Sequence, residues 1–241
     1  MTYDLIIIGA GIVGLSTGMH LLQNNPNLKL LVLDKEKDVA RHQTGNNSGV
    51  IHAGVYYSPG SLKAKFCFEG NKLTKEFCSN WDIPIDTCGK LLVATNDIEM
   101  QRMNNLWERT KENGLERYWL DASELKEKEP NINGLGAIHV PSSAIVDYTE
   151  ISKKMAQIIT QMGGEIKFNA EVLNIIESTS SVLVETPDRT FKSKYLITCA
   201  GLMADKIVKF LGVEPDFKIC PFRGEYFILK NESCNIVNHL I

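Results

Sequence analysis

The 241-residue sequence predicts an α/β fold with a largely parallel sheet. Three observations predict it. Residues 4–8 (Asp-Leu-Ile-Ile-Ile) are a short, almost continuously apolar run, as expected of a strand buried on both faces. A glycine-rich turn over 9–14 leads into Leu15, Met19 and Leu22 at helical spacing. Residues 29–33 (Lys-Leu-Leu-Val-Leu) form a second apolar run ending at Asp34, which completes strand–helix–strand in about 30 residues, the size of a βαβ unit.

The remaining elements follow in order. Asn24–Asn27, with Pro26, stops the first helix. Residues 41–61 are rich in Gly, Asn, Ser, His and Tyr and show neither period, so they read as a long functional loop. A helix is predicted over 62–81, with Leu62, Phe66, Leu73 and Phe77 as its apolar positions. Residues 89–95 predict a strand, and 98–113 a helix with Met103, Leu106 and Trp107 on one face. A short helix over 121–130 is stopped by Pro130. Helical spacing returns over 147–162, where Asp147 or Thr149 caps a helix carrying Ile151, Met155, Ile158, Ile159 and Met162, closed by Gly163-Gly164. Strands follow at 165–168, 171–177, 181–186 and 195–199, then a helix over 203–211 and a last strand over 223–229. A nucleotide-type fold is therefore interrupted by a middle section and resumed, giving segments 1–84, 85–144, 145–215 and 216–241.

Composition sets the class. The chain is 44% hydrophobic and 23% charged, ordinary for a protein with a packed core. With 26 Lys+Arg against 29 Asp+Glu, the formal net charge is −3, which argues against a nucleic-acid partner held by bulk electrostatics. The longest apolar stretch, Leu5–Leu15, contains three glycines and is too short to span a bilayer, so no transmembrane segment is expected. No secretory leader is read, and the expected location is cytoplasmic, at most peripheral on the inner face of the membrane. Cys67, Cys78, Cys88, Cys199, Cys220 and Cys234 fit no zinc spacing and are expected to be free buried thiols. No metal site is expected.

Gly9, Gly11 and Gly14 make G-x-G-x-x-G directly after a strand and at the start of a helix. The first glycine permits the tight turn, the second lets backbone approach a pyrophosphate, and the third allows close helix–strand packing. Ala10, Ile12 and Val13 supply the rest of that turn. Asp34, 20 residues beyond Gly14 and followed by Lys35, stands where a carboxylate accepts from ribose hydroxyls, which disfavours NADP. The motif alone does not separate FAD from NAD. Its place at the N-terminus and the unusual loop after the second strand favour FAD.

The loop His42-Gln43-Thr44-Gly45-Asn46-Asn47-Ser48-Gly49-Val50-Ile51-His52-Ala53-Gly54-Val55-Tyr56-Tyr57, with Pro59-Gly60-Ser61-Leu62-Lys63-Ala64, closely resembles the L-2-hydroxyglutarate oxidase/dehydrogenase family, which belongs to the D-amino-acid-oxidase-like group of FAD enzymes. Further matches are Gly89-Lys90-Leu91, Glu129-Pro130-Asn131, Gly163-Gly164 with Asn169-Ala170-Glu171-Val172, Ala200-Gly201-Leu202-Met203-Ala204-Asp205 and Pro221-Phe222-Arg223-Gly224-Glu225-Tyr226. The resemblance implies an FAD-binding Rossmann-like domain (1–84 and 145–215) and an incomplete α+β substrate domain (85–144 and 216–241). FAD would lie along 9–14 with Asp34 on its ribose. Thr44, Gly45, Asn46, Asn47 and Ser48 would pass beside the ribityl chain and the ring, Val172 would meet the adenine, and Ala200-Gly201 would approach from the second half of the domain. Family members continue far beyond the position of Ile241, so the resemblance covers their N-terminal part and implies a truncated chain.

The implied reaction is oxidation of L-2-hydroxyglutarate, a 2-hydroxy dicarboxylate, to 2-oxoglutarate. A dianionic substrate needs cationic donors, and arginine grips a carboxylate bidentately. Arg223, beside a glycine on a predicted strand, is the first candidate, with Tyr57 and Tyr226 as further substrate contacts. His52 is the catalytic candidate, as acceptor of the hydroxyl proton or as a group orienting the substrate; its alternative is a hydrogen bond to loop backbone. Oxygen and a quinone both stay open as electron acceptor, a quinone implying peripheral membrane contact. The rival readings are another enzyme of the superfamily, acting on an amino acid or glycerol 3-phosphate, and a non-catalytic FAD-binding fragment.

Overall fold

A computed structural model describes residues 2–233 and 235–241. In chain order its elements are β1 (Thr2–Ile8), α1 (Ile12–Asn24), β2 (Leu30–Leu33), β3 (Val50–Ile51), α2 (Leu62–Asn80), β4 (Ile85–Asp86), β5 (Lys90–Ala94), α3 (Asp97–Glu112), β6 (Tyr118–Asp121), α4 (Ala122–Lys128), β7 (Gly136–Val140), β8 (Ala144–Val146), α5 (Tyr148–Gln161), β9 (Glu165–Lys167), β10 (Asn174–Glu177), β11 (Val182–Glu185), β12 (Thr190–Thr198) and α6 (Ala204–Phe210). The chain divides into two units, one of residues 1–47 and 147–224, the other of 48–146 and 225–241.

The first unit is a six-stranded sheet in the order β10-β11-β12-β1-β2-β9. β1 runs parallel to β12 and to β2, and β2 runs parallel to β9, while β10, β11 and β12 form an antiparallel meander. The apolar run at 4–8 is the centre of this sheet, and both of its faces are covered. α1 buries Gly14, Leu15, Gly18, Met19 and Leu22, and it packs on α5, which buries Ile151, Met155, Ile158 and Ile159. Ile6, Ile8, Leu31 and Leu33 pack on the other face with Val184, Phe191 and Ile207. Asp147 caps α5, accepting from the Thr149 N–H at 2.7 Å, which places the cap at the first of its two expected positions.

The second unit has two small sheets. Strands β5 and β6 pair antiparallel on either side of β7, and β3 and β4 flank β8. Met103 of α3, with Leu106 and Trp107 against it, packs on Ala94, Ile138 and Val140; Leu125 of α4 packs with Leu91, Leu120 and Ala137. The buried carboxylate of Glu129 holds the end of the chain. One of its oxygens accepts from the Asn238 N–H (2.7 Å), the His239 N–H (2.7 Å) and His239 Nδ1 (2.6 Å). Leu240 then bonds beside β5, its N–H to the Gly89 carbonyl and its carbonyl to the Leu91 N–H.

Several expectations need correction. Of the four apolar α2 positions, Leu62, Phe66 and Leu73 are exposed and Phe77 is half-buried against Trp81, while the helix buries Ala64, Asn71 and Cys78. The reason is polar anchoring. Asn71 Nδ2 donates to the carbonyls of Ile51, His52 and Ser142, and Lys75 Nζ donates to that of Ser142 at 2.6 Å. No strand forms over 223–229: a strand exists through its ladder, and none of the described strands pairs with this exposed segment. The compact units divide first at 47/48, since β3 pairs with β8 and α2 is tied to the same region. Their last division falls at 224/225. Among the cysteines, Cys78 is buried, Cys67, Cys88 and Cys199 are partly exposed and Cys220 is exposed, all five free; Cys234 lies outside the described residues. No helix among the described residues is long and apolar enough to cross a membrane.

Candidate functional site

The turn between β1 and α1 is built by exclusion of side chains. Gly9 has φ +109°, and a Cβ there would stand 2.3 Å from the Cys199 carbonyl oxygen on β12's exit. A Cβ on Gly14 would stand 1.9 Å from the Gly9 carbonyl oxygen. Only glycine lets the strand, the turn and the helix approach this closely. Gly11 caps α1 without a side-chain acceptor, and the first turn of the helix carries no acid. Its unpaired N–H groups and positive dipole end are therefore left to an anion.

Two side chains brace the turn. Asp34 takes the Ala10 N–H at 2.6 Å on one oxygen and the Glu36 N–H at 2.8 Å on the other. Each oxygen keeps a lone pair for a further donor such as a ribose hydroxyl. Thr44 Oγ1 accepts from the Ile12 N–H at 3.0 Å, which ties the 40–48 loop to the start of α1.

A cavity of about 490 Å³ opens on this turn. Its size is that of a ligand site. Gly9, Gly11, Ile12, Val13, Asp34, Lys35, Thr44, Val172, Ala200 and Gly201 all line it, so the fingerprint, the 34–35 exit, Thr44 and the second half of the domain are brought together. The other expected cofactor residues are not in its wall. Ala10 is fully buried behind the turn, and Gly14 packs against Gly9. Gly45 sits against Ala40, where a Cβ would meet the Ala40 carbonyl oxygen at 2.1 Å. Asn46 and Asn47 turn their amides back onto the loop carbonyls of His42 and Thr44. Ser48 belongs to the other unit.

Sequence reasoning missed part of the wall: Glu36, Arg41, His42 and Gln43 on one loop, and Met203, Lys206, Ile207 and Phe210 on α6 and its lead-in. The second group was legible, since 203, 206, 207 and 210 stand at i, i+3, i+4 and i+7 directly after Ala200-Gly201. Glu36 Oε1 meets His42 Nε2 at 2.7 Å. The His42 hydrogen bond, and then the charges of His42, Lys35 and Arg41, hold the Glu36 carboxyl below the usual carboxylate range against desolvation. Burial raises the Cys199 thiol, so this wall residue is a neutral thiol at neutral pH.

The residues expected to handle substrate lie elsewhere. His52, in the second unit, is exposed; desolvation first and the charge of Lys90 second hold its imidazole below the ordinary value. The Tyr57 carbonyl accepts from Asn113 Nδ2 at 2.9 Å, and Lys90 Nζ sits 5.2 Å from the centre of the Tyr56 ring. Tyr226 is exposed in the second unit, and Arg223 is exposed near the end of the first, outside any strand. None of the four candidates lines the cavity.

The sequence profile of the FAD dependent oxidoreductase family matches residues 4–240. The chain belongs to this family. Over 240 residues it is 57% identical to an L-2-hydroxyglutarate dehydrogenase of Escherichia coli K12, covering 99% of this chain and 57% of that protein. It is 41% identical to the human mitochondrial L-2-hydroxyglutarate dehydrogenase, covering 98% of this chain and 54% of the relative. The chain thus spans little more than half the length of the curated relatives it matches. An FAD-bound L-alpha-glycerophosphate oxidase of Mycoplasma pneumoniae superposes with a TM-score of 0.81 at 29% identity, over 87% of this chain and 57% of that one. Glycine oxidase of Geobacillus kaustophilus shares the fold, with a TM-score of 0.79 at 20% identity, over 88% and 58%. The residues present fit the family's flavin dinucleotide: a glycine cradle, an open helix N-terminus without an acid, and a carboxylate with free lone pairs all face one cavity.

Proposed function

We propose that this chain binds FAD in the cavity of its first unit and serves the FAD-dependent oxidation of L-2-hydroxyglutarate to 2-oxoglutarate. The observation that carries the substrate is the 57% identity to L-2-hydroxyglutarate dehydrogenases over 99% of the chain. The cavity geometry supports the cofactor. The N–H groups left open on the turn, those of Gly11 and Val13, and the α1 dipole would hold the pyrophosphate, and Asp34, beside Lys35, would accept from the ribose. Thr44 keeps its loop on the α1 N-terminus, with Gly45, Asn46, Asn47 and Ser48 continuing toward the ribityl chain and ring. Val172 and Ala200-Gly201 close the site from the second half of the domain. The first unit is the cofactor domain, and the second unit contributes to a substrate domain.

Bound FAD supplies the acceptor for the hydride leaving the hydroxyl-bearing carbon. His52 takes the hydroxyl proton. An imidazole held below its ordinary value is neutral at neutral pH and has its lone pair available. Arg223 grips a substrate carboxylate, with Tyr57 and Tyr226 beside the substrate. The acceptor that would reoxidise the flavin is oxygen or a quinone. The location is cytoplasmic, with peripheral membrane contact on the inner face in the quinone case.

The test is anaerobic addition of L-2-hydroxyglutarate to the purified 241-residue chain loaded with FAD. The expected result is bleaching of the flavin spectrum by the L isomer and not by the D isomer. Bleaching by glycerol 3-phosphate or an amino acid, but not by L-2-hydroxyglutarate, transfers the function to another branch of the family. A flavin spectrum that none of these substrates moves leaves an FAD-binding fragment without turnover.

A further inference from the structure

We infer that His42, held by Glu36, is a positioning residue for the cofactor loop, and that the pair sets how tightly the cavity retains its dinucleotide. The inference rests on the reading that this cavity takes FAD. Glu36 lies two residues beyond Asp34 on the exit from β2, and His42 lies on the loop that follows. Both line the cavity, and their side chains meet at 2.7 Å. His42 is also the hub of its own loop, its carbonyl accepting from the Gly45 N–H at 3.1 Å and from Asn46 Nδ2 at 2.8 Å.

The loop is under tension. Ala40, a non-glycine residue, is held at φ +58°, with its N–H on the Ala10 carbonyl and its own carbonyl against Gly45. Such a conformation persists only where its surroundings over-determine it. Two residues past His42, Thr44 places its hydroxyl on the first amide of α1. Glu36 holds His42, and His42 is joined through Gln43 to Thr44 and so to the helix terminus that would meet the pyrophosphate.

Glu36 and Asp34 are two carboxylates beside a cavity for a dianionic pyrophosphate, with Glu171 on the same wall. Lys35 Nζ is 3.9 Å from the Glu36 carboxylate, and Arg41 and Lys206 are the other cations of the wall. His42 is the group that makes the short bond to Glu36, and it draws that carboxylate toward the loop. Without it, Glu36 is released to repel the phosphates at the moment the loop loses its anchor.

The test measures FAD affinity by flavin fluorescence and the unfolding temperature of the FAD-free chain for His42→Ala, His42→Gln, Glu36→Ala, Glu36→Gln and the double alanine variant. His42→Ala is expected to weaken FAD binding by about two- to five-fold, the size of an exposed ion pair's contribution, while the FAD-free unfolding temperature stays put. His42→Gln, whose amide still donates to Glu36, recovers most of the loss, and the double variant is no weaker than His42→Ala alone. Wild-type affinity in His42→Ala, no recovery in His42→Gln, or full additivity in the double variant overturns the inference and leaves the FAD reading standing. If His42→Ala fails to fold, Glu36→Gln against Glu36→Ala decides by the same criterion of recovery. A wild-type chain that takes up no FAD overturns both.

Discussion

Replacing Gly14 by alanine tests the account at the point where sequence, packing and site meet. The added methyl would stand 1.9 Å from the Gly9 carbonyl oxygen, 3.1 Å from the Gly9 carbonyl carbon and 3.3 Å from Cys199 Cβ. The two nearest atoms are backbone, so no rotamer change relieves them, and the turn must move by roughly 1.5 Å to reach ordinary contact distances. Overpacking of this kind costs about 1–3 kcal/mol. Helix propensity returns about 1 kcal/mol for Gly→Ala inside a helix, so the net loss is on the order of 0–2 kcal/mol, toward the upper end because the clash is with backbone. The moved turn is the one lining the cavity, so FAD affinity falls by at least about tenfold, equivalent to about 1.4 kcal/mol. The same substitution at Gly70, mid-α2, meets nothing within 4 Å and is expected to stabilise by about 0.5–1 kcal/mol without touching FAD binding. Gly18→Ala falls between them, because its contacts at 3.1–3.5 Å are the ends of the Leu30, Ile159 and Ile7 side chains. Thermal unfolding and an FAD titration of the three variants check the order. A Gly14→Ala chain as stable as wild type, with unchanged FAD affinity, refutes the close-packing argument.

Three further outcomes follow from the same structure. Glu129→Ala strips the acceptor from three donors in the 238–239 segment and is expected to cost about 2–4 kcal/mol, with faster amide exchange at Leu91 and Leu240; unchanged exchange there contradicts the anchor. The Asp4–Lys194 ion pair at 2.7 Å joins β1 to β12, and the Lys194 bond, then the Lys29 N–H, hold the Asp4 carboxyl below its ordinary value, while Asp4 raises the Lys194 amine. The Asp4 share of stability is present above the ordinary carboxylate value of about 3.9 and is lost as pH falls through the lowered one; the Lys194 share is lost as pH rises through the raised amine value. The difference in urea midpoint between wild type and Asp4→Asn therefore stays level across about pH 5–9 and shrinks in acid; a difference that grows in acid is the wrong sign. A thiol reagent should modify exposed Cys220 ahead of Cys78, which is buried and whose thiol is raised by burial; mass mapping that finds Cys78 first contradicts the packing of α2.

Much of this was legible in the residues, for physical reasons that differ by place. β1, α1 and β2 were readable because a central parallel strand must be apolar on both faces and its turn must lack side chains. Both demands leave marks at Leu5–Ile8 and at Gly9, Gly11 and Gly14. α5 was readable because Asp147 supplies a cap and Ile151, Met155, Ile158 and Ile159 a stripe. α2 misled because its anchors are polar. Asn71 and Lys75 reach carbonyls far away in sequence, and periodicity carries no trace of those partners. The 223–229 segment ends in Tyr-Phe-Ile-Leu, a strand-like aromatic and apolar run, but a ladder needs a partner, which local pattern cannot supply. The Glu36–His42 pair left no mark in the sequence for a similar reason: two ordinary polar residues meet only through a loop curled by Ala40 and Gly45.

The central claim is that the first unit holds FAD on the β1–α1 turn. Hydrogen–deuterium exchange of the 241-residue chain, with and without saturating FAD, tests it most directly. New protection is expected over 9–14, 34–36, 40–45, 170–172 and 199–203, with little change in α3 and α4. Protection confined to other segments, or none at saturating FAD, would contradict it.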